Sequence, residues 1–172
     1  MNIFLQYQEV GTRPIRDIPF YIYPLHVKTP GPHVPIHWHE ELEIILPSVP
    51  GCLEIDGNRH PFQQGDIMFV NPYELHATSV RQPGDVCHIL LRTDCFQFLH
   101  DTPFFSAARK LMEGELSFPS LLSPGDPAYG RLFPAVCQMS QMKPPSDEAM
   151  AFHLASLYSV SYTHLTLPTI YS

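Results

Sequence analysis

Between Gly31 and Gly51 the chain reads G-P-H-V-P-I-H-W-H-E-E-L-E-I-I-L-P-S-V-P-G. If His37 to Glu43 form a strand, side chains of equal parity share a face. His37, His39 and Glu43 then project to one side, and Ile36, Trp38, Leu42, Ile44 and Leu46 to the other. Two imidazoles and a carboxylate on one face are three N/O donors able to converge on one divalent ion in a barrel interior. His76, beyond the Asn71-Pro72 turn, is a fourth donor that strand pairing can bring alongside. The same four residues can instead line the barrel and hydrogen-bond one another, water or an organic ligand without a metal. Glu41 shares the parity of the histidines and is either an acceptor for an imidazole N–H or a solvated strand end. Trp38 has the opposite parity and is expected in the core rather than as a stacking platform. His26, His33, His60, His88, His100 and His153 are expected in loops or on the surface, since no spacing makes them converge.

Short strands must position these residues. From Phe20 to about Thr93, runs rich in Ile, Val, Leu, Phe and Tyr alternate with Pro and Gly, a pattern for an all-β sandwich or barrel. Asp56-Gly57 tolerates the positive φ of a tight hairpin turn between Leu53–Ile55 and Arg59–His60. Gly65-Asp66 opens the run Ile67–Val70, apolar at both parities and so buried on both faces, and Asn71-Pro72 ends it.

After Thr93 the period changes. Residues 103–112 read as a short helix ending at Gly114. Asp126-Pro127 places a capping residue before a proline at the first helical position, predicting a helix to about Met142 that Pro134 kinks or splits. Ser146 caps a further helix with Asp147 and Glu148 in its first turn. Its stripe Met150, Leu154, Leu157, Tyr158 packs on the barrel or forms a dimer seam. The tail Y-T-H-L-T-L-P-T-I-Y-S contradicts the helix it extends. It resembles the adapter-derived ends of truncated reading frames and is expected to be non-native, a terminal strand being the alternative. The expected organisation is a barrel over residues 1–100, a helical dimerisation and linker segment over 101–160, and that tail over 161–172.

Composition narrows the classes. The chain has 172 residues, 44% apolar and 16% charged, enough to bury a core in one domain. Ten Lys and Arg against seventeen Asp and Glu give a formal charge of −7, and no Lys/Arg cluster supplies the footprint of a nucleic-acid binder. Cys52, Cys87, Cys95 and Cys137 form no C-x-x-C pair, so reduced thiols of a cytoplasmic protein are expected. No apolar run is long enough to cross a membrane, and the N-terminus lacks a signal-peptide pattern.

G-x5-H-x-H-x3-E-x7-G from Gly31 to Gly51, then G-x6-P-x3-H from Gly65 to His76, resembles the two motifs of the cupin superfamily. The first motif departs only in a closing glycine one residue late. In the second, Glu74 stands where the family has glycine, the histidine comes one residue early and the later asparagine is absent. The resemblance implies a mostly-β fold, a double-stranded β-helix or jelly-roll barrel followed by two or three α-helices. It also implies His37, His39, Glu43 and His76 as the ligands of a divalent transition metal such as Zn, Ni, Mn or Fe.

A narrower resemblance spans residues 20 to 158. H-W-H-E-E-L-E-I-I-L, L-E-I-D-G-N-R-H, G-D-I-M-F-V-N-P-Y-E-L-H-A and the helical segment together are similar to the sensor domain of AraC-type transcription regulators. That resemblance implies a non-enzymatic barrel binding a small polar effector, in that family often a sugar, at His37, His39, Glu43 and His76. It further implies a homodimer through the C-terminal helices. DNA would be bound by a separate module of about one hundred Lys- and Arg-rich residues, which the 172 residues do not contain. The expectation is therefore a sensor half truncated before its DNA-binding module. The rival is a metal-dependent cupin enzyme, an isomerase or dioxygenase, using the same four residues.

Overall fold

The computed structural model describes residues 6–9, 20–92, 109–110 and 113–141. Among the described residues nine strands follow in order: β1 (Phe20–Val27), β2 (Gly31–His37), β3 (Leu42–Pro47), β4 (Gly51–Ile55), β5 (Asn58–Phe62), β6 (Ile67–Val70), β7 (His76–Val80), β8 (Gly84–Leu91) and β9 (Leu121–Leu122). One helix, α1 (Tyr129–Ser140), follows them. The strands form two antiparallel sheets, β1-β8-β3-β6-β9 and β2-β7-β4-β5. This is the all-β sandwich or barrel that the strand pattern calls for, and it has the mostly-β jelly-roll architecture that the resemblance implies. Of the helices, α1 is described and Arg109 and Lys110 are helical; the expected helix after Ser146 and the tail over 161–172 lie outside the described residues.

The Asp56-Gly57 turn joins β4 to β5 with both residues at positive φ, 48° and 80°, as a two-residue hairpin requires. Strand β6 is buried at every position because it has apolar neighbours on both faces. Ile67 and Phe69 join Leu42, Ile44, Ile89 and Leu91 beneath Leu132, Val136 and Met139 of α1. Met68 and Val70 face inward, with Ile45, Leu53, Ile55, Phe62, Val80 and Val86. The barrel thus has a dry interior at one end and a helix packed on its outer face.

Two expectations about α1 are corrected. Asp126 does not cap the helix: its carboxylate accepts the Ser123 N–H at 2.6 Å, closing a turn, and α1 begins three residues later with no side-chain cap. Pro134 does not split the element either. Twelve residues remain helical around it because Leu132, Val136 and Met139 hold the helix against the sheet while Pro134 points to solvent. Among the described residues no helix is long and apolar enough to cross a membrane.

Candidate functional site

The strand assumed to run from His37 to Glu43 does not exist: β2 ends at His37, residues 38–41 turn, and β3 starts at Leu42 in the other sheet. Parity along one strand is therefore not what gathers the site. His37 lies directly opposite His76 across the β2–β7 ladder. Glu43 is opposite Leu90 and Ile45 opposite His88 across β3–β8, so Glu43 and His88 are diagonal neighbours on the inward face. The two sheets face each other and bring both pairs together, with His39 supplied by the connecting turn. Ile36, expected on the face opposite the histidines, is 41% exposed where the register of β2 shifts before His37. Trp38 is buried as expected, its backbone bonded on both sides to Tyr7 and Glu9.

Glu43 is the hub. Its Oε1 accepts from His88 Nδ1 at 2.6 Å. Its Oε2 lies 3.4 Å from His39 Nε2 and 3.0 Å from His76 Nε2. The His76 contact is an ion-pair distance without hydrogen-bond alignment, so His76 Nε2 has no aligned partner. The His37 ring sits 4.2 Å from that of His76 and 5.5 Å from that of His39.

Three backbone carbonyls set the tautomers. His37 Nδ1 lies 2.9 Å from Pro35 O, His39 Nδ1 3.1 Å from Glu41 O, and His76 Nδ1 2.9 Å from Glu74 O. A carbonyl only accepts, so each Nδ1 carries the proton and each Nε2 of a neutral ring keeps its lone pair. Glu41 thus serves His39 through its backbone oxygen, with its carboxylate 3.6 Å away. Glu74, the departure from the second motif, accepts from the Asn71 N–H at 2.7 Å and fixes the turn that presents His76. Tyr73 takes the left-handed conformation in that turn, at φ 68°.

Charges follow from this geometry. Burial alone would push the Glu43 carboxyl up, but His39, His76 and His88 together hold it well below the usual carboxylate range. Burial lowers His76, but Glu43 and Glu74 together raise it further, so His76 binds its proton more tightly than a free imidazole. Burial, then the neighbouring His76, pushes His37 down. An ionised Glu43 facing imidazole lone pairs needs a positive charge between them, either a proton on a ring or a cation.

The residues fit a divalent transition metal. His37, His39 and His76 each offer a ring nitrogen, and the three lie within 4.8 Å of one another. Outer hydrogen bonds from ligating imidazoles to carbonyls are the usual way such rings are oriented. Glu43 stands against this triad as the fourth expected donor.

Two residues were placed wrongly by sequence reasoning. His88 is buried at the hub, and His33, on β2, has its ring 5.8 Å from that of His88 and both ring nitrogens buried without partners. His88 shares inward parity with Val86, but β8 is apolar on both faces near it, so no alternation marks the position. His26 is exposed in an ion pair with Asp85 and His60 is half-buried on β5; His100 and His153 lie outside the described residues. A separate cavity of about 430 Å³, not lined by the Glu43 cluster, opens between α1 and the barrel, where Leu25, His26, Pro47, Cys87, Phe133 and Cys137 line it.

No protein-family model matches the sequence, and no curated protein does. Among solved structures, the chain is similar to the AraC-like transcriptional activator CuxR at 11% identity and a TM-score of 0.60, over 90% of this chain and 55% of CuxR. It is also similar to ToxT from Vibrio cholerae at 11% identity and a TM-score of 0.46, over 89% of this chain and 59% of ToxT. A Cupin 2 conserved barrel domain protein from Salinispora arenicola matches at 23% identity and a TM-score of 0.40, over 53% of this chain and 81% of that one. The CuxR match establishes a shared fold. The chain spans about half the length of that regulator.

Proposed function

We propose that the chain is the effector-sensing part of a transcription regulator and that a small polar ligand binds at His37, His39, Glu43 and His76. The observation that carries this reading is the fold likeness to CuxR, which runs through the barrel and onward rather than stopping at it. The charged cluster inside the barrel supplies the place where a ligand would act. Sensing requires the ligand to bind one arrangement of the domain better than another. In the simplest case the responding element is the segment after the barrel, through which copies of the chain pair, while DNA is contacted by a separate module.

The test joins the chain to a reporter module that activates transcription only as a dimer and screens small metabolites. A ligand-dependent change in reporter output that His76→Ala abolishes, with the folded spectrum retained, is the expected result. Constant output across the library, from a chain that is monomeric in solution, would overturn the reading.

A second reading is a metal-dependent enzyme. It is favoured by the three Nδ1–carbonyl bonds, which turn three lone pairs toward one point. A bound Zn, Ni, Mn or Fe ion would polarise a substrate oxygen. His37, His39 and His76 would hold the ion, Glu43 would balance its charge, and His88 would fix Glu43. Metal analysis of untagged protein decides it: less than about a tenth of an equivalent, unchanged by His37→Ala, removes this reading.

A further inference from the structure

The outer face of β1, β8 and β3 changes character row by row. Ile22, Ile89 and Ile44 lie abreast across the three strands and pack in the core beneath α1. Two residues further along each strand, Pro24, Cys87 and Leu46 form the next row and line the cavity of about 430 Å³. Two residues further again the row is polar. His26 is abreast of Asp85, and Ser48, whose N–H donates to the Asp85 carbonyl at 2.8 Å, completes it. These three line the same cavity. Helix α1 supplies the opposite wall: Phe133, Cys137 and Ser140 line it from one helical face, at i, i+4 and i+7. The Tyr129 hydroxyl donates to the Gly65 carbonyl at 2.5 Å, pinning the start of α1 to a loop that also borders the cavity. The volume lies in the range of small-molecule sites, about 300–1,000 Å³, and Leu25 at its wall is 39% exposed.

We infer that this cavity is a second ligand site, which takes a flat aromatic molecule carrying a hydroxyl group and no negative charge. The apolar row and the helix select the ring. Phe133 is stacked on Tyr129 at 4.9 Å and 18°, and a ring entering against Phe133 lengthens that stack, an arrangement aromatic rings favour. Cys87 and Cys137 act here as small hydrophobes. Burial pushes the Cys87 thiol up to about 11 and Cys137 in the same direction, so neither brings a charge or a reactive thiolate.

The polar row selects the substituent. The lining contains Asp66 and Asp85 and no lysine or arginine among the described residues, so a carboxylate or phosphate would meet like charge without a counter-ion. Asp85 Oδ1 accepts from His26 Nδ1 at 2.6 Å, and the carboxylate keeps lone pairs for a further donor. Ser48 Oγ accepts from the Asp85 N–H at 2.9 Å, which leaves its own O–H to donate. A hydroxyl group both donates and accepts and so serves Asp85 and Ser48 together, whereas an ammonium group cannot accept from Ser48. This site goes beyond the sensor reading and stands whatever the Glu43 cluster binds.

The test titrates the full chain, in chelator, with 2-naphthol and with 2-naphthoate, which share a ring system and differ in the substituent. Saturable binding of naphthol, at least about tenfold tighter than naphthoate, is expected. Saturating naphthol should slow alkylation of Cys137 by iodoacetamide, read peptide by peptide in a mass spectrometer, and leave Cys52 in the other sheet unchanged. Cys137→Phe, which fills the cavity, should weaken naphthol about tenfold or more. Cys137→Ser, close in size to the original, should retain binding and guards against misfolding of the first variant. Asp85→Asn should narrow the gap between the two probes. Naphthol binding that neither protects Cys137 nor weakens in Cys137→Phe would overturn the site. Equal affinity for naphthoate would overturn the ligand class, and the absence of saturable naphthol binding would overturn both.

Discussion

The imidazoles around Glu43 oppose one another in their pH dependence, because the neighbours of each ring decide its sign. His33, which titrates at about 4 in the fold against 6.5 unfolded, and His37, lowered in the same direction, must be neutral when folded. Their contribution is present above 6.5 and lost as the pH falls below it. His76 is raised, so its contribution is complete below 6.5 and is lost as pH rises through its folded value. Glu43, held low, adds stability above the ordinary carboxylate value that disappears as acid protonates it. The thermal midpoint in chelator should therefore peak near pH 6.5 and fall on both sides. His33→Phe should flatten the acid limb, and an acid limb unchanged in that variant would count against the assignment. At this scale the sequence was a partial guide. His37, His39, Glu43 and His76 were legible because rare residue types crowd into a short window. His33 and His88 were not, because their proximity arises from two sheets closing on each other, and no local spacing encodes that closure.

Among the elements, glycines mark the tightest approaches. A Cβ on Gly51 would lie 2.2 Å from the Ser79 backbone oxygen and 2.3 Å from the Phe62 ring, and a backbone oxygen in a ladder cannot withdraw. Gly51→Ala should cost about 1–3 kcal/mol, as overpacking does. Gly57→Ala in the hairpin turn meets nothing within 4 Å and should cost only the left-handed penalty of about 1 kcal/mol. Urea denaturation of both variants checks the order, and a milder Gly51→Ala would contradict the packing described. Helix α1 invites the opposite change. Pro134 is exposed within it and withholds one helical N–H, so Pro134→Ala should stabilise the protein by about 1–3 kcal/mol, limited by how far tertiary packing already fixes the helix. A lower thermal midpoint for that variant would show that the proline shapes the contact with the sheet. The strand runs and the Asp56-Gly57 hairpin were readable because Pro and Gly punctuate them. The break at residues 38–41 was hidden, since Trp38 and Leu42 on either side of the polar run His39–Glu41 keep the parity of one continuous strand.

Across the whole molecule, β3, β6 and β8 alternate between the core under α1 and the core inside the barrel, so neither core can open without exposing the other. Unfolding of this part should be a single transition. The chain has one tryptophan, Trp38, beside the imidazole cluster. Its fluorescence and the far-ultraviolet signal of the strands should give coincident urea midpoints. Separate midpoints would mean that the barrel mouth melts independently. A sandwich or barrel was legible as a class because many short strands with turn signals have few stable ways to bury their faces, while its double-stranded form was legible only through the motif resemblance. The pairing of β9 with β6 was not, because two leucines following a stretch of different period carry no strand signature.

Asn71 spans what those two cores leave apart. Its amide accepts from the Phe118 N–H at 2.8 Å and donates to the Phe118 carbonyl at 3.1 Å, copying one rung of a sheet with a side chain. The same residue is gripped by Glu74, whose own carbonyl holds the His76 ring. The chain of contact from imidazole to the segment after the barrel is thus made of short, directional bonds with no flexible methylene run longer than a glutamate's. Such a train leaves little backlash, so a rotation of the His76 ring would pull on Phe118 rather than be absorbed along the way.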